Sequence, residues 1–404
     1  MYRPGAMLED CRRRYGDVFT LRIAHEGSWV FLAHPDAVKQ VFTGDPRVFH
    51  AGEANVVLLP MLGHHSVLLL DEAAHMSQRK LMLPSFHGER MRRYEQVMAE
   101  VAAAEIDSWP AGEPYTVRPA MQRITLEVIM RTVFGVQDDA RRERLRGTLA
   151  SALEWASDPR RMAMLAMLGP HRIERSRLFQ RMRRPADELI YEEIRERRGA
   201  ADLAERDDVL SLLLQARHED GSPMSDDELR DELMTLLVAG HETTASSLAW
   251  AVERLVRNPQ ALTRLCDDVA AGGDEYADAV CKETLRLRPI LALVLRRLTE
   301  PTEIGGRLLP AGVNLAPCIY LVHRRADVYP EPYAFRPERF LEQPAGTYTW
   351  IPFGGGVRRC LGATFALFEM RVVLRELVSR LELRAADARP ERIARRAITL
   401  VPER

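Results

Sequence analysis

The chain has few cysteines, no long apolar run and almost no net charge, and each shortage closes off a class of function. Its five cysteines, Cys11, Cys266, Cys281, Cys318 and Cys360, are odd in number, scattered and free of CxxC spacing. A disulfide framework or a zinc cage is therefore not expected. No stretch approaches the roughly 18 uncharged apolar residues that a membrane span needs, and the start, MYRPGAMLEDCRRRYGD, lacks a signal-peptide core. Both absences point to the cytoplasm. Lys and Arg number 57 against 58 Asp and Glu, a formal net charge of -1, so no nucleic-acid footprint is present. Basic runs at 12–14, 141–146 and 172–184 read as solvated helix faces, although such a patch suits docking of an acidic partner. Repeats, low-complexity tracts and a flexible linker are missing as well. A single mixed domain over 1–404 is the economical reading.

What is present is ordinary globular composition, 46% hydrophobic and 28% charged, with a distinct order of textures. DVFTLRIAHEGSWVFLAHP alternates apolar and polar residues around a Gly-Ser turn, as a hairpin does. From Pro35 to about Pro289 the apolar spacing is three or four, the signal of amphipathic helices. From 290 to 320 short apolar runs between Gly and Pro turns bring strands back. The expected fold class is mainly α with small β-sheets.

One helix stands out in the body. Ser225 opens S-D-D-E, a capping box, and apolar residues recur through Leu229, Leu233, Leu237, Leu248, Val252 and Leu255 until Asn258-Pro259. At about 32 residues it would run roughly 48 Å, enough to cross the whole molecule. Its middle, AGHETT (239–244), interrupts the apolar pattern with a glycine and four polar residues. Standing alone, that segment fits a core helix with satisfied threonines equally well.

Near the C-terminus, FGGGVRRCLGATFALFEM (353–370) sets three glycines before Cys360 and a helix after it, with Leu361, Phe365, Phe368 and Val372 apolar. Glycines permit left-handed turns and close backbone approach. A helix N-terminus offers free N–H groups and a positive dipole end that favour thiolate, the form that ligates iron. The blander alternative is an inert buried cysteine after a flexible loop.

F-G-G-G-V-R-R-C-L-G (353–362) resembles the cysteine-ligand signature of the cytochrome P450 family, F-x-x-G-x-[RH]-x-C-x-G. The resemblance implies a single-domain P450 fold with the long helix over a haem, and Cys360 as the metal ligand of haem b. Phe353 would shield the sulfur, Gly362 would belong to the cofactor loop, and Arg358 would reach a haem propionate. Three further motifs fall in the family's order. KETLRLRP supplies Glu283 and Arg286 and FRPERF supplies Arg339, implied to form a buried structural network. AGHETT is similar to the oxygen-activation motif [AG]-G-x-[DE]-T-[TS]. Thr243 would hydrogen-bond dioxygen, Glu242 would relay protons, and Ala239 with Gly240 would leave room over the iron. For His241 a structural role outweighs that of a distal base.

Haem carries two carboxylates, which call for cations or donors. His75 and Arg79 in HMSQRK share a helix face. Arg297 in RRLTEPTEIG matches the family's propionate arginine, with Arg296 as competitor, and Arg358 completes the set. The substrate wall is expected around 56–67, 155–168, 237–239 and 290–294, through Leu59, Leu62, Leu165, Leu237, Leu291 and Val294; half the weight goes to plain core packing.

The implied reaction is insertion of one dioxygen atom into a hydrophobic substrate, such as a fatty acid, terpenoid or steroid. No FMN, FAD or iron–sulfur segment fits in 404 residues. Electrons would come from NAD(P)H through a ferredoxin and its reductase docking near Arg359, with the enzyme a monomer. The termini depart from the family: the chain begins close to YGDVF and stops soon after AITLVPER, so terminal strands are expected to be short. HRRAD stands where H-R-D-P is commoner. The rivals are a peroxide-using or isomerising haem-thiolate enzyme and a non-catalytic haem or ligand carrier.

Overall fold

The computed structural model describes residues 4–23, 26–86, 88, 90–158 and 167–403. Helix α1 (Pro4–Tyr15) leads into the expected hairpin, where β1 (Val18–Ile23) pairs antiparallel with β2 (Gly27–Leu32). Gly27 lies opposite Ile23 and so belongs to the strand. It takes the left-handed φ of +80° that closes the short connection.

The helical body follows: α2 (Pro35–Thr43), the two-residue strand β3 (Phe49–His50), α3 (Leu59–Leu62), α4 (Glu72–Met82), α5 (Arg90–Ile106), α6 (Val117–Thr132) and α7 (Asp139–Ser157). After it come α8 (Pro170–Glu174), α9 (Arg177–Arg198), α10 (Val209–Gln215), α11 (Asp226–Val256), α12 (Pro259–Ala270) and α13 (Glu275–Leu287). Strands then return as β4 (Arg296–Leu298), β5 (Thr302–Ile304), β6 (Arg307–Leu309) and β7 (Asn314–Pro317). The chain ends with α14 (Ile319–Val322), α15 (Arg339–Glu342), α16 (Ala363–Arg380), β8 (Ile393–Arg396) and β9 (Thr399–Pro402).

The main sheet has the order β1-β2-β7-β4-β3. Its central pairing, β2 parallel to β7 with Trp29 opposite Asn314, joins chain segments almost 300 residues apart. β3 closes the far edge against β4, with His50 opposite Arg297. β5–β6 and β8–β9 are separate hairpins. Thus the chain folds as one mainly helical domain with small sheets.

Helix α11 is the axis. Its capping box is formed: the Ser225 hydroxyl accepts from the Glu228 N–H at 3.2 Å, and the Glu228 carboxylate accepts from the Ser225 N–H at 2.8 Å. The helix runs 31 residues, about 46 Å. Leu229, Leu233, Leu237, Leu248, Trp250 and Leu255 are all fully buried, as on a helix that is covered on every side. Its neighbours are α6, α9, α13 and α16. The last of these also packs Phe365 edge-on against Phe86 and Tyr94, which fixes the direction of the helix that starts beside Cys360.

Candidate functional site

The cysteine loop is built by its own backbone. The Cys360 N–H donates to the Phe353 carbonyl at 3.0 Å, the Gly354 N–H to Ile351 at 3.0 Å and the Arg359 N–H to Gly356 at 3.0 Å. Gly354 and Gly356 both have φ of +66°. The glycines also serve a neighbour within the protein: a Cβ on Gly355 would lie 2.2 Å from the Phe42 ring, and one on Gly356 would lie 1.8 Å from the Phe42 carbonyl oxygen. The loop is pressed flat against the end of α2. Phe353 is held edge-on to Trp350, whose indole N–H donates to the Lys282 carbonyl at 3.1 Å.

Cys360 is open at its surface, yet protein surrounds it closely enough that burial raises its thiol above the usual value. The Gly362 N–H at the cap of α16, Arg79 and Arg359 pull it back down but do not prevail. The helix end therefore favours thiolate without producing it alone. Coordination to a metal ion would supply the remaining drive, because it deprotonates a thiol outright.

A second group of side chains converges from three segments. His75 on α4 is buried and its basicity falls to about 3, through burial first and then the charges of Arg358, Arg79 and Arg296. Burial and then Arg358 bring Arg296 down to about 10, against the opposing pull of Asp71. Arg358 is likewise lowered to about 10, by burial and then by Arg79, with Asp71 opposing. Arg79 is lowered too, and pairs with no carboxylate among the described residues. Burial is the main cause throughout, and Asp71 is the carboxylate that opposes it at His75, Arg296 and Arg358, so the cluster is short of negative charge. The two carboxylates of a haem fit this cluster.

The sequence-expected Arg297 is not in it. Adjacent strand residues face opposite ways, so β4 turns Arg296 inward and leaves the Arg297 side chain 41% exposed, 3.5 Å from Glu53.

Across α11, Ala239 is exposed in the middle of an otherwise buried helix, and Thr243 lies one turn on. The Thr243 hydroxyl donates back to the Ala239 carbonyl at 2.5 Å. Glu242 is turned toward α6, where Arg118 donates to one carboxylate oxygen at 2.6 Å and the Gln122 amide to the other at 2.7 Å. Burial alone would raise its pKa, but the Arg118 charge and these bonds outweigh it, so Glu242 is held as a carboxylate. Gly240 is also tight against its neighbour. A Cβ there would meet Ile129 of α6 at 3.2 Å, so its smallness serves helix packing. His241 is buried, with Nδ1 2.9 Å from the Thr125 hydroxyl, and burial lowers its pKa to about 4. That is a structural role.

The cytochrome P450 family model matches residues 3–404. The chain belongs to the cytochrome P450 family. It is 48% identical to cytochrome P450 135B1 of Mycobacterium tuberculosis over 98% of this chain and 85% of that protein. It is 39% identical to cytochrome P450 135A1 of the same species, over 97% and 87%. Two solved structures share its fold. One is retinoic acid-bound cyanobacterial CYP120A1, with TM-score 0.84, 22% identity and coverage of 99% and 92%. The other is the cytochrome P450DA heme domain, with TM-score 0.85, 24% identity and coverage of 98% and 90%. Membership makes this chain a monooxygenase that uses haem and dioxygen. No helix among the described residues is long and apolar enough to cross a membrane.

Behind the cysteine loop of this P450, Arg286 donates to both oxygens of Glu283 at 2.7 and 2.9 Å, and Arg339 adds a bond at 3.2 Å. Arg286 also donates to the carbonyls of His323 and Pro332, each at 2.8 Å. HRRAD has a role here that its sequence did not show: His323 Nε2 accepts from the Ile351 N–H at 2.8 Å, and Arg325 reaches Asp17 at 2.8 Å. It staples the cysteine loop to the sheet.

The expected substrate wall divides. Leu59, Leu62 and Leu237 are buried, the last two within the large core cluster that surrounds α11. Leu291 and Val294 stay partly exposed, as do Leu58, Met61, Leu68, Leu69, Leu236 and Val238. Leu165 lies outside the described residues. Sequence reasoning missed Arg118 and Gln122, which have no motif and become visible only when α6 packs on α11. It also missed Asp71, which reads as a helix cap for α4.

Proposed function

We propose that this P450 binds haem b with Cys360 as the thiolate ligand, and that the haem carboxylates are met by His75, Arg79, Arg296 and Arg358. The observation that carries the reading is the convergence of the buried Arg296 and His75 and the part-buried Arg79 and Arg358 with a cysteine whose sulfur meets the Gly362 N–H. Bound haem supplies thiolate-ligated iron for dioxygen activation, one oxygen atom entering the substrate and the other leaving as water. The chain supplies the rest. Phe353 and the backbone bonds of the loop hold Cys360 in position on the proximal side. Thr243 offers a hydroxyl on the open face of α11 beside Ala239, and Glu242 accepts and passes protons while Arg118 and Gln122 hold its carboxylate in place. Proton delivery at a fixed position raises the yield of inserted oxygen over peroxide release.

The open apolar positions Leu58, Met61, Leu69, Val238, Leu291 and Val294 fit a hydrophobic substrate of the fatty-acid, terpenoid or steroid kind. Electrons arrive from NAD(P)H through a ferredoxin and its reductase, with the exposed Arg359 beside the ligand loop as a contact. The enzyme works as a cytoplasmic monomer. The acid and threonine pair favours dioxygen over peroxide as oxidant.

The test is the spectrum of the reduced protein with carbon monoxide. A strongly red-shifted main band is expected, and it disappears in Cys360→Ala. An unshifted band in folded wild-type protein overturns the assignment. Thr243→Ala is expected to raise peroxide release at the expense of product. Equal product from dioxygen with redox partners and from peroxide alone would favour the peroxide-using rival.

A further inference from the structure

Asp71 sits where a capping residue belongs, directly before α4, with the extended backbone of an N-cap (φ -121°, ψ 169°). Its side chain caps nothing in that helix. It turns instead toward the β3–α3 connection, where one oxygen accepts the N–H groups of Ala51 at 2.8 Å and Gly52 at 2.9 Å, and the other accepts that of Glu53 at 3.0 Å. The first oxygen also receives the Arg358 guanidinium at 2.5 Å. Two features show that the surroundings are shaped for this. A Cβ on Gly52 would lie 2.7 Å from the carboxylate and 2.3 Å from the Leu69 carbonyl oxygen. The next residue, Glu72, is held at φ +50°, a conformation that L side chains rarely adopt.

The Asp71 carboxylate thus ties together the three segments that bear the cation cluster: α4 with His75 and Arg79, the cysteine loop with Arg358, and β3, which pairs with β4 and Arg296. Its charge is felt at His75, Arg296 and Arg358 alike.

We propose that Asp71 is a positioning residue of the haem site, whose carboxylate, anchored on the backbone of residues 51–53, orients the Arg358 guanidinium toward a haem carboxylate and adds a fixed negative charge at that edge of the cofactor. The inference rests on Arg358 meeting a haem carboxylate. A guanidinium already held by one carboxylate loses less freedom when it takes up a second. A fixed anion near the haem edge also stabilises the more positive, ferric state and lowers the reduction potential.

The experiment uses the haem-loaded full chain, with wild type first shown to give the red-shifted carbon monoxide band. Failure of that band sinks the haem-thiolate reading itself. In Asp71→Asn, which keeps the shape and removes the charge, haem transfer to an excess of apomyoglobin is expected to accelerate roughly tenfold. The reduction potential is expected to move to more positive values, with the thiolate band retained. Asp71→Glu keeps the charge on a longer arm, so transfer accelerates while the potential stays near wild type. Should Asp71→Asn not accumulate in folded form, the Glu variant alone decides: unchanged haem transfer in it overturns the proposal. A loop fastener with no part in the haem site would lower the melting temperature in Asp71→Asn and leave transfer and potential as in wild type, and that result overturns it as well.

Discussion

Two groups of buried arginines lie near the cysteine loop, and they are solved in opposite ways. Behind the loop, Arg286 and Glu283 are wholly buried, and every guanidinium nitrogen of Arg286 meets a carboxylate or a carbonyl oxygen. Tyr329 adds its ring face at 5.0 Å. In the second group, the one hydrogen bond of Arg296 among the described residues goes to the carbonyl of its neighbour Leu295, with the Phe42 ring 5.9 Å away. Arg358 donates to the Val67 and Leu70 carbonyls and to Asp71, Arg79 has no carboxylate among the described residues, and Asp71 stands against several cations. Both groups bear the cost of desolvated charge. The first recovers most of it within the protein, with one buried Arg339 nitrogen left without a hydrogen bond among the described residues, and so holds the fold. The second is left short of anions, which is the condition of a site whose partner comes from outside.

Breaking the satisfied group should have the larger effect. Glu283→Gln strands two cations behind the loop and is expected to lower stability by about 3–5 kcal/mol in urea unfolding, with and without haem. A loss confined to the haem-loaded form would erase the contrast. Next comes Arg296→Leu, expected to weaken haem binding by roughly 10- to 100-fold, the worth of a hydrogen bond to a charged group. The melting temperature of the haem-free protein should hold or rise, since a repelled cation is removed. Arg297→Leu should change neither, and a greater loss there than at Arg296 would show that the strand faces are misassigned.

A third comparison uses Glu242, a carboxylate satisfied on α6. Arg118→Leu leaves burial as the dominant influence, so the carboxyl pKa rises and the pH profile of coupled turnover shifts upward. An unmoved profile would show that the Arg118 pair is incidental. The last comparison concerns His241, neutral in the fold down to about pH 4 because of burial, while the unfolded chain titrates near 6.5. Between those values the unfolded state binds one more proton at this position. Stability therefore falls as pH drops through that window, by up to about 1.4 kcal/mol per pH unit from this residue. His241→Asn should flatten the measured slope by that amount.

Much of this was legible from residue order alone. The hairpin at 18–32, the capped helix from Asp226 to Val256 and the loop from Phe353 to Gly362 each rest on local rules: alternation, a Ser-Glu box, and glycine before a helix. The motif order also placed Cys360, Glu283 and Arg339 in one family. Misreadings came where two candidates differ only in direction. Arg296 and Arg297 are adjacent, and strand register against β7 chose between them. At Gly240 the motif suggested room for oxygen, and only the packing of α6 shows that its smallness also makes way for Ile129. Leu62 and Leu237 are as apolar as Leu291, and only three-dimensional packing separated core from wall.

By itself the sequence determined the cysteine loop, the long helix and the class of chemistry, because these depend on residue types at short, fixed spacings. Tertiary structure alone decided which cations cluster with His75, what holds Glu242 ionised and where the Asp71 carboxylate points. Those are pairings across 124 and 287 residues, between Arg118 and Glu242 and between Asp71 and Arg358. No local pattern encodes them, since charge, unlike periodicity, acquires its meaning only from what the fold brings beside it.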